Sequence, residues 1–183
     1  MSRFADRTGP IRLGMVGGGQ GAMIGAVHRI AARLDGEFSL VAGALSSTPE
    51  KAGASASAVG LPPDRAYADY AEMAKREARL KDGIEAVAVV TPNHLHLPVA
   101  REFLKRGIHV ICDKPLTGTL RDAKKLAAAA ETSDALFFLT HNYTGYPLVR
   151  EARARVARGD LGDIRLVQVE YAQDWLAEAP ASD

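Results

Sequence analysis

Several features that would narrow the class of this protein are scarce or absent. The 183 residues include one cysteine, Cys112, which excludes a disulfide framework within the chain and favours a reducing, cytoplasmic setting. No apolar run approaches the ~18 residues of a membrane-spanning helix, so we expect no membrane association. The opening segment, MSRFADRTGP, lacks the apolar core of a signal peptide and is a short polar lead-in.

A strong charge of one sign is also lacking. Lysine and arginine number 23 and aspartate and glutamate 22, a net charge of +1, so no basic field predicts a nucleic-acid partner. Hydrophobic residues make up 47% and charged residues 25%, which is ordinary for a globular protein and excludes disorder. At ~150 residues per domain, the length allows one domain with a substantial core and a remainder.

Short apolar runs alternate with helical patterns over residues 1–141. Predicted strands cover 11–16, 38–45, 65–67, 86–90, 108–112 and 135–140, and predicted helices cover 23–34, 49–59, 69–80, 97–106 and 119–132. This alternation predicts an α/β fold, a doubly wound parallel sheet with helices on both faces. Asp69 and Thr119 stand where side-chain N-caps are expected. The apolar residues that share one face of the first helix are Ile24, Val27, Ile30, Ala31 and Leu34.

After Thr140 the pattern changes. An arginine-rich helix is predicted over 147–158, and 163–171 alternates as the first strand of a different, antiparallel sheet would. One strand cannot form a sheet, so either this strand extends the first domain or the chain is the front part of a longer protein. We predict one domain over 1–141 and the start of a second α/β domain over 142–183.

A glycine-rich segment, GGGQGAMIG from Gly17 to Gly25, follows the first strand and opens the first helix. Such a turn binds a pyrophosphate because glycines let the backbone approach the phosphates and the helix N-terminus offers free N–H groups. Gly17 and Gly19 supply the first two glycines, and the third is Ala22 or, in the expanded loop that we favour, Gly25. The residues predicted to contact a dinucleotide here are Gly17, Gly19, Gln20, Gly21 and Ala22. The alternative is a purely structural glycine turn.

The end of the second strand carries no carboxylate. An acidic residue about 20 positions beyond a dinucleotide-binding turn usually holds the ribose 2′-hydroxyl, but Ser46 occupies that place, followed by Ser47 and Thr48. No negative charge there would repel a 2′-phosphate, and Lys51 is close enough to pair with one. The site therefore favours NADP over NAD, with Ser46, Ser47 and Lys51 as predicted contacts. The alternative is that both serines only cap the next helix.

Polar residues gather after the later strands, in TPNHLH (91–96), CDKPLTGT (112–119) and THNYTGYP (140–147). In an open α/β sheet, ligands bind at the carboxyl ends of the strands. Lys114 directly follows a buried strand, beside Asp113, and burial in a cleft would let its amine hold or deprotonate a substrate hydroxyl. The alternative is a surface lysine in a loop.

The remaining candidate ligands and nucleophiles are assigned structural roles. His94 and His96 are not spaced as a metal pair, so no metal site is predicted, and they are interpreted as a helix-capping and a packing histidine. His28 and His109 are also interpreted as structural. Cys112, at a strand end, is assigned to the core.

Together these segments resemble the glucose–fructose oxidoreductase/inositol dehydrogenase family, Gfo/Idh/MocA. The matching pieces, in order, are the glycine turn with His28, AVAVVTPNHLH, HVICDKPLTGTLRDAKKL and NYTGYPLVREARARVARGDLGDIRLVQVEY, which cover nearly all of the chain. The resemblance implies a Rossmann domain for NAD or NADP over 1–141. Over 142–183 it implies the start of an α/β domain that binds substrate and makes homo-oligomer contacts.

The resemblance also assigns roles to individual residues. The lysine of the family's Glu-Lys-Pro motif, a catalytic residue, falls on Lys114, while Asp113 replaces the glutamate, and both are predicted to contact the cofactor. The segment Thr91-Pro92-Asn93 matches a loop on the nicotinamide side of the cofactor, and His96 matches a histidine common in that loop. The resemblance predicts that these four residues also contact the cofactor. Asn142-Tyr143-Thr144 lacks an arginine that is often near the cofactor.

Members of this family mostly oxidise or reduce carbons of sugars and cyclitols. The resemblance implies an NAD(P)-dependent oxidoreductase that transfers a hydride between a nicotinamide cofactor and a sugar- or cyclitol-like alcohol or carbonyl. This chain would be its nucleotide-binding half, with little or no turnover alone, because the family's further acid/base histidine and most substrate contacts lie in the second domain. A free-standing NAD(P)-binding regulatory or sensor module is the alternative, and Ser46 argues against a methyltransferase.

Overall fold

The computed structural model describes residues 9–174, and the chain divides into two compact units between His141 and Asn142. The strands of the first unit are β1 (Ile11–Gly17), β2 (Phe38–Ala44), β3 (Ala86–Val90), β4 (His109–Cys112) and β5 (Phe137–Leu139). Its helices are α1 (Met23–Leu34), α2 (Pro49–Ala58), α3 (Tyr70–Glu77), α4 (His96–Leu104) and α5 (Leu120–Glu131). The strands pair in parallel in the order β2-β1-β3-β4-β5. The predicted doubly wound parallel sheet is confirmed.

Helices cover both faces of this sheet. Val87 and Val89 of β3 lie in an apolar cluster with residues of α3, α4 and α5, among them the fully buried Phe103. Ala88 and Val90 lie in a second cluster with residues of α1 and α2. The whole of β3 is buried, because successive side chains point to opposite covered faces. Each buried valine or phenylalanine contributes ~1.5–3 kcal/mol.

The strand predicted at 65–67 is reduced to a single bridge. A 3₁₀ turn occupies Pro63–Arg65, and only Ala66 pairs in parallel with Gly43 of β2. Pro62 and Pro63 have no N–H to donate to a ladder, so regular pairing cannot begin there. The prediction of a strand was therefore wrong, although the bridge continues the sheet outside β2.

The apolar face predicted for α1 lies mostly in solvent. Ile24 packs against the sheet, but Val27, Ile30 and Leu34 are 51%, 55% and 76% exposed. Gly25 is the one buried residue of this helix. The helix therefore packs against the sheet through Ile24, Gly25 and, near its end, Ala32, and its apolar stripe faces outward.

Side-chain caps are present at α3 and α5 and absent at α1 and α2. Asp69 at α3 and Thr119 at α5 each accept a backbone N–H, at 2.7 and 3.2 Å, as the sequence predicts. Ala22 and Thr48, the N-caps of α1 and α2, make no such bond. No side chain therefore caps the first turns of α1 and α2.

The second unit contains the predicted helix, α6 (Pro147–Arg158), which ends at Gly159 with a φ of +76°. The strand predicted over 163–171 does not form: within residues 9–174 this segment has no ladder partner. A strand needs a neighbouring strand to take its N–H and C=O groups, so alternation alone was not sufficient. None of the helices between residues 9 and 174 is long and apolar enough to cross a bilayer.

Candidate functional site

The glycine turn after β1 has a backbone that few residues other than glycine adopt. Gly17, Gly18 and Gly21 have φ values of +81°, +71° and +83°. A Cβ on Gly17 would lie 2.7 Å from the carbonyl oxygen of Val90 and 3.1 Å from the Cα of Thr91. Glycine is required because the turn runs directly against the end of β3.

Gly25 brings α1 against this turn. A Cβ on Gly25 would overlap the Cα and the carbonyl oxygen of Gly18. Close helix approach is the role of the third glycine in a dinucleotide-binding turn. The structure gives this role to Gly25, as favoured from the sequence, because Ala22 is the N-cap of a helix that starts at Met23.

The centre of the turn is tied to the end of β2 and to α2. The N–H of Gly19 donates to the carbonyl oxygen of Leu45 at 3.1 Å. The N–H of Gln20 donates to the buried hydroxyl of Ser55 at 3.1 Å. The turn is thus fixed between the carboxyl ends of β2 and β3, where the strand order reverses.

A cavity of about 380 Å³ lies beside the turn. Residues 18–23 form one wall, and Arg29 and Ser55 line it as well. Nη1 of Arg29 donates to the carbonyl oxygen of Gly18 at 2.8 Å. A helix N-terminus without an acidic residue in its first turn, with a cation nearby, favours an anion electrostatically.

Three residues that form or line this site were not predicted from the sequence: Gly18 in the turn, Arg29 in α1 and Ser55 in α2. Gly18 carries a local signal, since it is the middle of three consecutive glycines. Ser55 carries none, because its bond to Gln20 joins residues 35 positions apart.

The end of β2 presents the predicted ribose-binding residues. Ser46 is half-buried, whereas Ser47 and Lys51 are exposed. The N-cap of α2 is Thr48, and the hydroxyl of Ser46 lies 3.5 Å from the Thr48 nitrogen, at the limit of a hydrogen bond. Neither serine caps the helix, so the capping alternative is not what the structure shows.

The loop after β3 carries Thr91, Pro92 and Asn93 to the same edge of the sheet. Pro92 and Asn93 are exposed. Oγ1 of Thr91 is buried and has no hydrogen-bond partner in the part of the chain that the structure describes. A buried hydroxyl without a partner costs about 1–3 kcal/mol, which makes this loop a candidate ligand contact.

His96, the first residue of α4, is 1% exposed. Its Nδ1 lies 2.8 Å from the carbonyl oxygen of Pro115 and its Nε2 lies 3.0 Å from that of Thr91. The packing role predicted for His96 is confirmed. Both ring nitrogens lie within hydrogen-bond distance of backbone carbonyl oxygens, and the direct contact of His96 with a cofactor stays a prediction.

Asp113 connects the ends of β4 and β5 with α1. Its Oδ1 accepts the hydroxyl of Thr140 at 2.8 Å and lies 3.5 Å from Nε2 of His28, which gives His28 the structural role expected of it. The N–H of Asp113 donates to the carbonyl oxygen of Val89 at 2.9 Å. Its side chain is 15% exposed, and its contact with a cofactor stays a prediction.

Cys112, one residue earlier, is fully buried. Burial raises the pKa of its thiol to about 12, and the neighbouring Asp113 carboxylate adds to the rise. A thiol that keeps its proton is a poor nucleophile, so the assignment of Cys112 to the core is confirmed.

Lys114 stands between two anchored residues, Asp113 and Pro115. The Lys114–Pro115 peptide bond is cis. The side chain of Lys114 is exposed, so residues 9–174 do not supply the burial expected for a proton-transferring amine. Its catalytic role stays a prediction.

The sheet is parallel and doubly wound. Its first turn requires glycine where it meets β3 and where it meets the start of α1. Together these features define a dinucleotide-binding domain of the Rossmann class. A family model described as "Oxidoreductase family, NAD-binding Rossmann fold" matches residues 11–141. The chain belongs to this family, Gfo/Idh/MocA, which confirms the resemblance seen in the sequence.

Individual relatives match more of this chain than the family model does. The uncharacterized oxidoreductase YfiI of Bacillus subtilis (strain 168) is 36% identical over 169 residues, 92% of this chain and 43% of the relative. The crystal structure of an oxidoreductase from Sinorhizobium meliloti has a TM-score of 0.83 at 70% identity, covering 86% of this chain and 44% of that one. An inositol dehydrogenase homologue from Azotobacter vinelandii, complexed with NADH and myo-inositol, has a TM-score of 0.82 at 43% identity, covering 86% and 42%. This chain therefore spans less than half the length of each.

Proposed function

We propose that the chain carries the cofactor-binding part of an NAD(P)-dependent oxidoreductase that transfers a hydride between a nicotinamide cofactor and a sugar- or cyclitol-like alcohol or carbonyl. The observation that carries the proposal is the turn from Gly17 to Gly25, which admits only glycine where it meets β3 and α1. The A. vinelandii relative, complexed with NADH and myo-inositol, supports the cyclitol class.

In this proposal the pyrophosphate lies at the N-terminus of α1. The contacting residues are Gly17, Gly19, Gln20, Gly21 and Ala22. The first turn of α1 has neither an acidic residue nor a side-chain cap, so its N–H groups and its dipole are directed at an anion. Arg29 beneath the turn adds a positive charge.

The nicotinamide half extends towards the ends of β3 and β4, because a dinucleotide spans the point where the strand order reverses. Thr91, Pro92 and Asn93 contact it there, and Asp113 and Lys114 form the neighbouring wall. The cofactor, when bound, supplies the hydride acceptor. In the oxidation direction the amine of Lys114 would hold the substrate hydroxyl or take its proton while the same carbon gives up the hydride.

The segment 142–183 is proposed to begin the substrate and homo-oligomerisation domain, and the single, buried cysteine supports a reducing, cytoplasmic setting. The 183-residue chain is then expected to bind nucleotide without turnover. The assay mixes the chain with NAD⁺ or NADP⁺ and myo-inositol and follows formation of the reduced cofactor. Robust oxidation by this chain would contradict the assignment of the substrate site to further residues.

The first test of the proposal is a fluorescence titration of the chain with NADPH and, separately, with NADH. Saturable binding of either supports the glycine turn as a phosphate site, and binding of neither would overturn it. We propose a preference for NADPH, because Ser46 leaves the end of β2 without a carboxylate and no side chain caps α2. Tighter binding of NADH would remove that preference and keep the site.

A substitution at the end of β2 tests the same preference. Ser46→Asp places a carboxylate where it repels a 2′-phosphate and accepts a ribose hydroxyl. We expect the ratio of the NADPH and NADH dissociation constants to shift towards NADH by about tenfold or more. Ser57→Asp, on an exposed position of α2, is the control for added charge. An unchanged ratio in Ser46→Asp would remove the basis for an NADP preference.

A further inference from the structure

We propose that His96 is a positioning residue that fixes the two loops of the nicotinamide half relative to each other. The inference rests on the proposed function and assigns His96 a task that requires no direct contact with the cofactor. The imidazole of His96 joins the carbonyl oxygen of Thr91, at the end of β3, to that of Pro115, beyond β4. These two contacts connect consecutive loops at the same edge of the sheet.

The two anchored carbonyl groups adjoin the residues proposed to form this half of the site. Thr91 directly precedes Pro92 and Asn93, and Pro115 directly follows Lys114. A shift of either carbonyl therefore moves a contact of the nicotinamide or the catalytic amine. The glycine turn is held by other bonds, from Gly19 and Gln20 to the β2 side, so it does not depend on His96 in the same way.

The chemistry of an imidazole suits this task. Its ring is rigid and carries two nitrogens on different sides, each able to donate when it bears a proton. Carbonyl oxygens only accept, so a singly protonated ring bonds one loop and a doubly protonated ring bonds both. Burial keeps water from competing for either carbonyl, since the side chain of His96 is 1% exposed.

This role predicts that replacing His96 weakens binding only of ligands that carry the nicotinamide. The test compares two kinds of ligand: ADP-ribose, which lacks the nicotinamide, and the dinucleotides NAD⁺ and NADH. Each ligand is titrated by calorimetry into the wild-type chain and into His96→Leu. We expect the dissociation constant of ADP-ribose to stay within about twofold and that of the dinucleotides to rise about tenfold in His96→Leu. His96→Gln, whose amide can donate to one carbonyl, should recover part of the difference.

The matched control is His94→Leu, on the exposed side of the preceding 3₁₀ turn, which should leave both ligands unchanged. Equal weakening of ADP-ribose and dinucleotide in His96→Leu would mean a general structural role and would overturn the inference, as would no change in either ligand. If His96→Leu does not fold, His96→Gln decides by the same comparison. Failure of the wild-type chain to bind ADP-ribose or any of the dinucleotides would instead overturn the proposed function, and this inference with it.

Discussion

At the residue scale, the contact between Gly25 and Gly18 determines how closely α1 approaches the turn. Gly25→Ala places a Cβ into the backbone of Gly18, so the helix or the turn must move. We expect a loss of about 1–3 kcal/mol in the free energy of unfolding and about tenfold weaker dinucleotide binding. Urea unfolding and the NADPH and NADH titrations measure the two effects.

Gly53→Ala is the matched control for this substitution. Gly53 lies inside α2, and a Cβ there would meet no atom within 4 Å. Alanine should therefore stabilise the chain by about 0.5–1 kcal/mol, because glycine is the poorer helix former, and leave dinucleotide affinity unchanged. Unaltered affinity in Gly25→Ala would show that the close approach of α1 is not needed for binding.

The thiol of Cys112 makes stability depend on pH. Its pKa is raised to about 12 in the folded chain and is about 8.5 in an unfolded one. Below the unfolded value both states keep the proton, so the contribution is fully present. Above it only the unfolded state ionises, and stability is lost as pH rises towards the folded value.

The measurement is the difference in unfolding free energy between the wild type and Cys112→Ala, followed from pH 8 upward. Any advantage of the wild type should shrink by up to about 1.4 kcal/mol per pH unit above about pH 9. Because both proteins share their lysines and tyrosines, the difference isolates the thiol. A difference independent of pH would contradict the burial of Cys112.

At the element scale, the helices differ in whether a side chain at the N-cap accepts a hydrogen bond from the first turn. Thr119→Ala removes the bond to the first turn of α5 and should cost about 1 kcal/mol. Thr48→Ala is the control, because Thr48 is the N-cap of α2 but makes no side-chain cap bond, and it should cost less than half as much. Chemical denaturation measures both, and equal losses would contradict the difference in capping.

Elements that a local signal determines were predictable from the sequence. The strand β3 is apolar throughout and flanked by short connections, and it forms over Ala86–Val90 as predicted. The segment 163–171 shows why alternation is weaker evidence: a strand depends on a partner, and residues 9–174 provide none. The stripe on α1 shows that periodicity gives a shared face without saying whether anything covers it.

At the scale of the whole molecule, the sequence predicted which strand ends form the candidate site. It did not predict the hydrogen bonds that hold those ends together. The positions of Gly17, Ser46, Thr91 and Lys114 follow from the rule that parallel strands end at one edge. The bonds that fix those ends do not, because they join residues far apart in the chain, as Asp113 is joined to Thr140. His96 illustrates the limit: its spacing indicated a packing histidine, and its burial agrees, but the two loops that it lies between were not predictable from the sequence.

The exposed apolar residues of 163–171 lead to a prediction about the chain in solution. Leu166, Val167 and Val169 are 82%, 72% and 82% exposed, and contiguous apolar surface of this kind promotes association. We expect the 183-residue chain to self-associate with rising concentration in sedimentation velocity and light scattering. Lysine at both Val167 and Val169 should reduce the association, because it places charges on the contact surface. A matched variant, Val27→Lys with Ile30→Lys, changes the exposed face of α1 and distinguishes the two surfaces. If only the α1 variant reduced self-association, the contact would lie on α1 and not on 163–171.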